Sequence, residues 1–469
     1  MNVSGKRVLV LGLGLTGVSM VRWLSARGAT VRVADSREAP PNVDALRAEF
    51  PRLSIDVGPF RAASFADAEL IAISPGVALA EAEVRAATAR GIEVVGDIEL
   101  FARALDAMGE ARGLRRPKLL AITGSNGKST VTEMTGALCR GAGLETLVAG
   151  NIGLPVLDAL GEIEAGARAW PQAVVLELSS FQLETTSSLK PDAATVLNLS
   201  EDHLDRYRGM DDYAAAKARI FAGAGVQLVN RDDPWSVRMA HPGAPVWSFG
   251  LGVPAADHTW GLLRNGEDHL AEGARRILPL SRLRLAGLHN AANALAALAL
   301  ARAIGLDYPA LTRPLEMFEG LPHRVQFVAE VGGRRFYDDS KGTNVGATVA
   351  ALNGMAEKVV LIAGGDGKGQ DFTPLAPAVS GHARAVVLIG RDRELIADAL
   401  AGTGVSLSRA GGMSEAVRSA FDRSEPGDAI MLSPACASFD MFRNYEHRAE
   451  VFRAAVLQLK EGESCSTLR

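Results

Sequence analysis

The sequence predicts an α/β protein made of three units in tandem, each built on a predominantly parallel sheet. Three observations carry this. Short apolar runs with strand character alternate with helical pattern along the chain; two glycine loops lie where a strand runs into a helix; and 469 residues exceed what one ordinary hydrophobic core can hold.

The first unit opens with the apolar run Val8 to Leu11, a glycine turn, an amphipathic stretch from Val18 to Arg27 and a second apolar run from Thr30 to Ala34, which is one strand-helix-strand unit. Further strands are expected at Leu70 to Ile73, ending in Ser74-Pro75-Gly76, and at Val94-Val95, ending in Gly96-Asp97. Between Gly109 and Pro117 the chain becomes polar and basic before a new strand at Lys118 to Ile122, so a boundary falls between Gly96 and Pro117. The second unit continues through strands at Ala173 to Leu178 and Thr195 to Leu199 and an alanine-rich helix from Asn290 to Ile304. It ends at the turn Gly320-Leu321-Pro322. The third repeats the alternation, with strands at Val359 to Ala363, Ala385 to Ile389 and Ala429 to Leu432. The expected division is therefore 1–96, 97–320 and 321–469, with a Rossmann-like first unit, a central parallel sheet of the P-loop ATPase type and a Rossmann-like third unit.

Composition narrows the function. Hydrophobic residues make up 48% and charged residues 22%, as in an ordinary folded protein, and the net charge of -4 supplies no global positive field. Neither a nucleic acid nor a membrane partner is expected, and any phosphate binding must be local. Cys139, Cys436 and Cys465 are odd in number and far apart, which fits a reducing compartment rather than a disulfide framework. The apolar run from Val8 to Leu15 is broken by Gly12 and Gly14, is too short to span a bilayer and leads into helix-forming sequence rather than a cleavage site. A cytoplasmic location follows as the expectation.

The first glycine loop, Gly12-Leu13-Gly14-Leu15-Thr16-Gly17, matches the dinucleotide fingerprint, and Asp35 follows at the end of the next strand, where an acidic residue can accept from a ribose hydroxyl. Alone it suggests an NAD enzyme. The physics is broader, because a helix N-terminus behind glycines suits any diphosphate, and a tight turn with no ligand has the same residues. The second loop, Gly124-Ser125-Asn126-Gly127-Lys128-Ser129-Thr130, is a phosphate loop shortened by one glycine, Ile122 standing in that place. Its N–H groups enclose phosphate oxygens, Lys128 neutralises their charge and the Ser129 hydroxyl can ligate Mg²⁺. Glu177 and the segment Asn198-Leu199-Ser200-Glu201-Asp202-His203-Leu204-Asp205 both follow strands, at the sheet edge where ligands gather in open α/β folds. A strand-end glutamate is a hard ligand for Mg²⁺, yet by itself it is more often a solvated surface residue, and a lone histidine is more often a cap or a satisfied polar residue. Lys217, on a helical segment from Tyr213 to Ile220, reads by composition as a solvated face residue, and an ammonium cannot bind a cation.

Taken in order, Thr123 to Thr130, Leu176 to Phe181, Asn198 to Asp205 and Tyr213 to Ile220 resemble the central domain of the Mur ligase family, and the resemblance extends over nearly the whole chain. His289 to Asn293 is similar to that family's adenine-side segment, and Gly320 to Arg324 to the start of its C-terminal domain. Gly12 to Gly17, Asp339 to Asn344 and Ser433 to Asp440 resemble the branch that adds D-glutamate to UDP-N-acetylmuramoyl-L-alanine. The resemblance implies a UDP-sugar domain, a central ATPase domain and a C-terminal domain that completes the ATP and amino-acid sites, in a monomer using ATP with two Mg²⁺ ions, for which Mn²⁺ substitutes.

Carried over residue by residue, it places Gly124, Ser125, Asn126, Gly127, Lys128, Ser129 and Thr130 on the phosphates of ATP, with Asn293, Arg324 and Asp339 also serving the nucleotide. Ser129 and Glu177 hold one Mg²⁺ and His203 a second. Lys217 aligns with a lysine that the family carbamylates, so that an ammonium becomes a metal-facing anion. Gly14, Leu15, Thr16, Asp35 and Arg37 face the uridine diphosphate, with Gly76 nearby, and Asn151 and His203 lie nearer the acceptor's reacting end. Thr343, Lys368 and Ser438 position D-glutamate beside Tyr445, where the family commonly has Phe. Lys128, His203 and Lys217 are thus the expected catalytic residues, and an acyl phosphate the expected intermediate. An NAD-dependent oxidoreductase leaves the second loop, Glu177 and the His203/Lys217 pair unexplained. A nucleotide-dependent binding protein without catalysis stays open on the residues alone, and a folylpolyglutamate synthetase fits the first unit poorly.

Overall fold

A computed structural model of the chain describes residues 2–203, 206–285, 287–355 and 357–466, without the side chains of Asn265, Ser464, Cys465 and Ser466. Leu204 and Asp205 of the histidine segment and the Cys465 thiol therefore lie outside the described residues.

Three sheets organise the fold. The first contains β1 (Arg7–Leu11), β2 (Thr30–Asp35), β3 (Ser54–Val57), β4 (Leu70–Ile73) and β5 (Glu93–Val95), all parallel, in the order β3-β2-β1-β4-β5. Helices connect the strands, as parallel pairing demands. The order reverses beside β1, so the glycine loop after β1 and the Ser74-Pro75-Gly76 loop after β4 flank one crevice.

The second sheet holds β6 (Lys118–Thr123), β7 (Thr146–Gly150), β8 (Ala173–Glu177), β9 (Ala193–Val196), β10 (Val226–Asn230), β11 (Val246–Phe249), β12 (Thr259–Asn265), β13 (Glu267–Glu272) and β14 (Arg275–Pro279). Its order is β14-β13-β12-β11-β10-β9-β6-β8-β7, and only the last two pairings, β12 with β13 and β13 with β14, are antiparallel. Register aligns Ile122 with Glu177, Gly150 with Glu177 and Thr123 with Val196. The loops that follow these strands consequently emerge side by side.

The third sheet, β15 (Gln326–Val331), β16 (Arg334–Asp338), β17 (Val359–Gly364), β18 (Ala383–Ile389), β19 (Ser406–Arg409) and β20 (Ala429–Leu432), runs β15-β16-β20-β17-β18-β19. It is parallel except for β15.

The expected strands at 70–73 and 429–432 fall where predicted, whereas the expected strand at 195–199 leaves the sheet after Val196. Leaving early lets Asn198 turn back on the phosphate loop. The polar stretch from Gly109 is also different: a helix spans Asp97–Arg112 and runs through Gly109, where a Cβ would sit 3.5 Å from the Trp170 ring. This helix joins the first two sheets.

Burial explains why. One apolar cluster contains residues of both the first and second sheets, among them Val10, Leu24, Phe101, Leu119, Leu176 and Tyr213. Each such buried side chain contributes about 1.5–3 kcal/mol. The clusters on either side of the third sheet begin at Ala329 and Val345, and none of their buried members precedes those residues. The third unit thus meets the second mainly through polar contacts.

Candidate active site

The phosphate loop is closed by geometry that only glycine permits. Gly124 has φ +149°, and a Cβ there would meet Leu197 at 3.1 Å; Gly127 has φ +82°, and its Cβ would lie 2.6 Å from Asn293 Oδ1. Gly127 caps the helix Lys128–Gly141, whose free N–H groups and positive end face the loop. Asn198 clamps it: Asn126 N–H donates to Asn198 Oδ1 at 2.8 Å, and Asn198 Nδ2 returns a bond to Asn126 O at 3.0 Å. Sequence reasoning quoted Asn198 without assigning it a role.

Around this loop lies a cavity of about 430 Å³ lined by Ser125, Asn126, Gly127, Lys128, Ser129, Asn151, Glu177, His203, Lys217, Arg324, Thr343 and Lys368. It therefore unites predicted residues from the second and third units. A larger cleft of about 710 Å³ opens beside it, lined by Arg324, His289, Asn290, Tyr337 and Met355, and a small pocket containing Thr130, Asn293 and Asp339 lies between. A nucleotide with its phosphates on the loop has room for its base there.

Charge in the cavity is unbalanced. Lys128 Nζ donates to Ser125 O at 2.9 Å, and burial lowers its pKa against the pull of Glu177 and Asp202. Glu177 Oε1 accepts from Asn151 Nδ2 at 2.8 Å, while Oε2 is buried with no hydrogen-bond partner. Such an oxygen calls for a cation. Ser129 Oγ accepts from Arg324 Nη2 at 2.9 Å, a bond across the two units. Among the described residues no three His, Cys, Asp or Glu side chains form a preformed cage, so a divalent ion would be completed by ligand and water oxygens, as suits Mg²⁺.

His203 adopts φ +57° and packs edge-on to Phe181 at 4.8 Å. Burial pushes its pKa down to about 4 despite Asp202, leaving a neutral imidazole with a lone pair to offer. Lys217 is 1% exposed, donates to Gly124 O at 2.9 Å and lies over the Tyr213 ring. Burial, followed by the nearby Lys128 charge, lowers its pKa far below that of a free lysine. It is a buried amine under pressure to be uncharged, not the solvated residue that composition suggested.

The third unit supplies an ordered wall of the cavity. Lys368 has φ +51°; its N–H donates to Asp366 Oδ1, and its ammonium lies 3.3 Å from Asp202 across the cleft. Asp339 accepts from Ser433 Oγ at 2.6 Å, and burial raises its pKa to about 7. Arg448, fully buried, donates to Ser340 Oγ, Ser340 O and Cys436 O, binding together the two segments that carry Thr343 and Ser438. Lys341 is a residue that sequence reasoning passed over. Its ammonium lies 3.8 Å from the Tyr445 ring centre, and burial lowers its pKa to about 8. Tyr445 donates its hydroxyl to Glu446, and Ser438 is buried; neither lines the cavity.

The first glycine loop forms a separate place. Gly17 is obligatory, since a Cβ would sit 1.8 Å from Gly12 O, and Gly14 begins the helix Leu15–Ala26. Leu15 is 75% exposed beside Thr16. Asp35 is 2% exposed and accepts from Leu13 N, Arg37 N and the Arg37 guanidinium. Its carboxylate is occupied in setting Leu13 and Arg37 rather than free for a ribose hydroxyl. Gly76 is exposed, and the adjoining Pro75 reaches the reaction cavity.

Comparison with known proteins agrees with this arrangement. The Mur ligase MurD-like N-terminal domain matches residues 6–96, the Mur ligase middle domain 122–301 and the Mur ligase glutamate ligase domain 323–436. The chain is 60% identical over 465 residues to the UDP-N-acetylmuramoylalanine–D-glutamate ligase of Thiobacillus denitrificans, covering 98% of each. It is 56% identical to the protein of the same name from Methylobacillus flagellatus, covering 99% of each. Among solved structures it resembles the UDP-N-acetylmuramate-alanine ligase of Thermotoga maritima, with TM-score 0.61 and 19% identity over 96% of this chain and 99% of that one. It also resembles MurF from Acinetobacter baumannii, with TM-score 0.60 and 20% identity over 98% and 91%. With three consecutive domain matches and relatives this similar over the whole length, the chain belongs to the Mur ligase family and is a ligase.

Proposed function

We propose that this protein joins D-glutamate to UDP-N-acetylmuramoyl-L-alanine at the expense of ATP, through an acyl phosphate, giving ADP and phosphate in peptidoglycan precursor synthesis. The observation that carries the reading is the single cavity in which the phosphate loop, Glu177, His203 and Lys217 meet Thr343 and Lys368 of the third unit. The relatives at 50–60% identity bear the matching name. The working division is a UDP-sugar domain at 1–96, an ATP domain at 97–320 and a completing domain at 321–469.

A carboxylate does not condense with an amine in water until one of its oxygens becomes a leaving group. The acceptor's terminal carboxylate attacks the γ-phosphorus of ATP, the bond to the bridging oxygen breaks and ADP leaves; Lys128 and the loop N–H groups stabilise the charge. The amine of D-glutamate, held by Thr343 and Lys368 with Ser438 and Tyr445 behind them, then attacks the acyl carbon. The tetrahedral species expels phosphate. Arg324 spans the units by donating to Ser129, which brings its guanidinium charge to the phosphate loop. Ser129, Glu177, His203 and a carbamylated Lys217 would hold Mg²⁺, which supplies charge neutralisation and orientation to the phosphates. Leu15, Thr16 and Arg37 would hold the uridine diphosphate, with Asn151 near the acceptor's reacting end.

The test is mass balance. Purified protein with UDP-N-acetylmuramoyl-L-alanine, ATP and a panel of D- and L-amino acids should yield one ADP and one phosphate per new amide, with D-glutamate only. ADP formation without amide, or equal use of L-glutamate, refutes it.

A further inference from the structure

In the proposed function the two ends of the acceptor fall to different units, and one guanidinium bridges a loop of the first unit to the second. Arg206 belongs to the second unit, three residues after His203. Its Nη1 donates to Pro75 O at 3.0 Å and its Nη2 to Val77 O at 3.3 Å, both carbonyls of the loop after β4 in the first unit. The same Nη2 bonds Glu184 Oε2 at 2.9 Å, and the guanidinium stacks 4.2 Å from the Phe181 ring centre. Tyr207 donates its hydroxyl to the other Glu184 oxygen at 2.7 Å. Arg206 and Glu184 side chains are 14% and 17% exposed, so screening by water is reduced.

Each end of this cluster reaches one of the two places already described. Phe181 packs against His203. On the other side, Ser74 Oγ donates to Gly12 O, and a Cβ on Gly12 would meet Ser74 and Val77 at 3.0–3.1 Å, so the loop that Arg206 holds is packed on the diphosphate-type glycine turn. A planar guanidinium with donors along two edges can satisfy two carbonyls and a carboxylate together, which an ammonium cannot do in one geometry.

Resting on the reading above, we propose that Arg206 is a positioning residue that sets the separation between the UDP end and the reacting end of the acceptor. It does so by fixing the Pro75-Gly76-Val77 loop against the Phe181/His203 side of the second unit. It is not among the residues that line the cavity around the phosphate loop or the cleft beside it. Its loss should therefore act on a ligand that spans both places and spare one that occupies a single place.

The test is calorimetry and kinetics on the full-length Arg206→Met and Arg206→Lys proteins, with Glu184→Gln as a variant that keeps the arginine and removes its charge partner. The expected result for Arg206→Met is a Kd for UDP-N-acetylmuramoyl-L-alanine weakened about tenfold or more. The Kd for UDP alone and the KM for ATP should stay within about twofold, with Arg206→Lys recovering little and Glu184→Gln intermediate. Equal weakening of UDP and the full acceptor, or restoration by Arg206→Lys, overturns the inference and leaves a merely structural arginine. An unchanged acceptor Kd in Arg206→Met also overturns it. If the wild-type protein binds no UDP-sugar at all, it is the proposed function that fails.

Discussion

Replacing Asp97 by Asn should stabilise the protein, and do so more at alkaline than at acidic pH. Asp97 opens the helix that joins the first two units, is 3% exposed, and accepts one side-chain bond, from Gln182 Nε2 at 3.0 Å, with only the nearby helix N–H groups to favour its charge besides. A carboxylate in a helix's first turn is ordinarily favourable. Here burial wins and raises its pKa from 3.8 to about 6, the bonds from Gln182 and the helix N–H groups offsetting only part. At about 1.4 kcal/mol per unit, this corresponds to a penalty on the order of 3 kcal/mol. The folded chain holds the proton more tightly than the unfolded chain. The penalty is thus absent below about pH 3.8, grows between 3.8 and 6, and is complete above 6. An asparagine keeps the oxygen that accepts from Gln182 but places an unpaired N–H where Oδ1 now lies, at about 1 kcal/mol. The net gain is about 2 kcal/mol at pH 8 and under about 1 kcal/mol at pH 5. Thermal unfolding at both pH values, followed by circular dichroism and by fluorescence, should show a rise of a few degrees at pH 8 that shrinks at pH 5. A gain independent of pH, or a loss at pH 8, refutes the reasoning.

Two residues further on, Glu99 should behave with the opposite sign. Burial pushes its pKa up, but bonds from Ser187 N, Ser188 N, Ser188 Oγ and Arg103 outweigh that and hold it below the usual value. Glu99→Ala should cost on the order of 2–4 kcal/mol at pH 7, and wild-type stability should fall as pH drops through the glutamate range; urea unfolding measures both. Lys128→Ala should lower ATP-derived phosphate release at least about 100-fold while leaving acceptor binding within about twofold by calorimetry, because Lys128 faces the loop and not the first unit; loss of both contradicts that separation. Lys217→Ala should be inactive, with partial recovery in millimolar formate or acetate if the lysine works as a carbamate, whereas full turnover by protein shown by mass spectrometry to be unmodified rules the carbamate out.

What could be read in advance depended on whether structure follows from local pattern. Runs such as Leu70 to Ile73 and Ala429 to Leu432 are wholly apolar because both sheet faces are covered, and a wholly apolar short run bounded by turn residues is legible. β13 and β14, Glu267–Glu272 and Arg275–Pro279, were not read as strands: five of their eleven side chains are charged, since an outer antiparallel hairpin keeps one face in water. Site residues were legible where a loop imposes a fixed order of residue types, as from Gly124 to Ser129. Asn198, Lys341 and Arg448 were not. Each acts on a backbone or charge distant in sequence, Arg448 on Ser340 at a separation of 108 residues, and nothing in its neighbours announces the partner. Asp35 was legible by its position at a strand end, but its salt bridge with Arg37, two residues away, was not.

The distribution of apolar surface bears on how the reaction would be timed. The first two units share one buried cluster and are further joined by Arg206 on the Pro75 carbonyl and by Arg103 on Glu93, so separating them would expose core. The third unit meets the second through the Arg324 bond to Ser129, the Lys368 pair with Asp202 and the Asp371 N–H on Glu201. Contacts of that kind, partly buried but few, are each worth about 1–3 kcal/mol, the range in which a ligand's binding energy decides between open and closed arrangements. Two of the three also touch groups that the proposed chemistry uses, Ser129 directly and His203 through its neighbour Asp202. Nucleotide bound on the phosphate loop would compete with Arg324 for Ser129 and add its own charge to the cleft. Closure would then depend on the substrates themselves, and the acyl phosphate would form only once the residues that receive D-glutamate are in place.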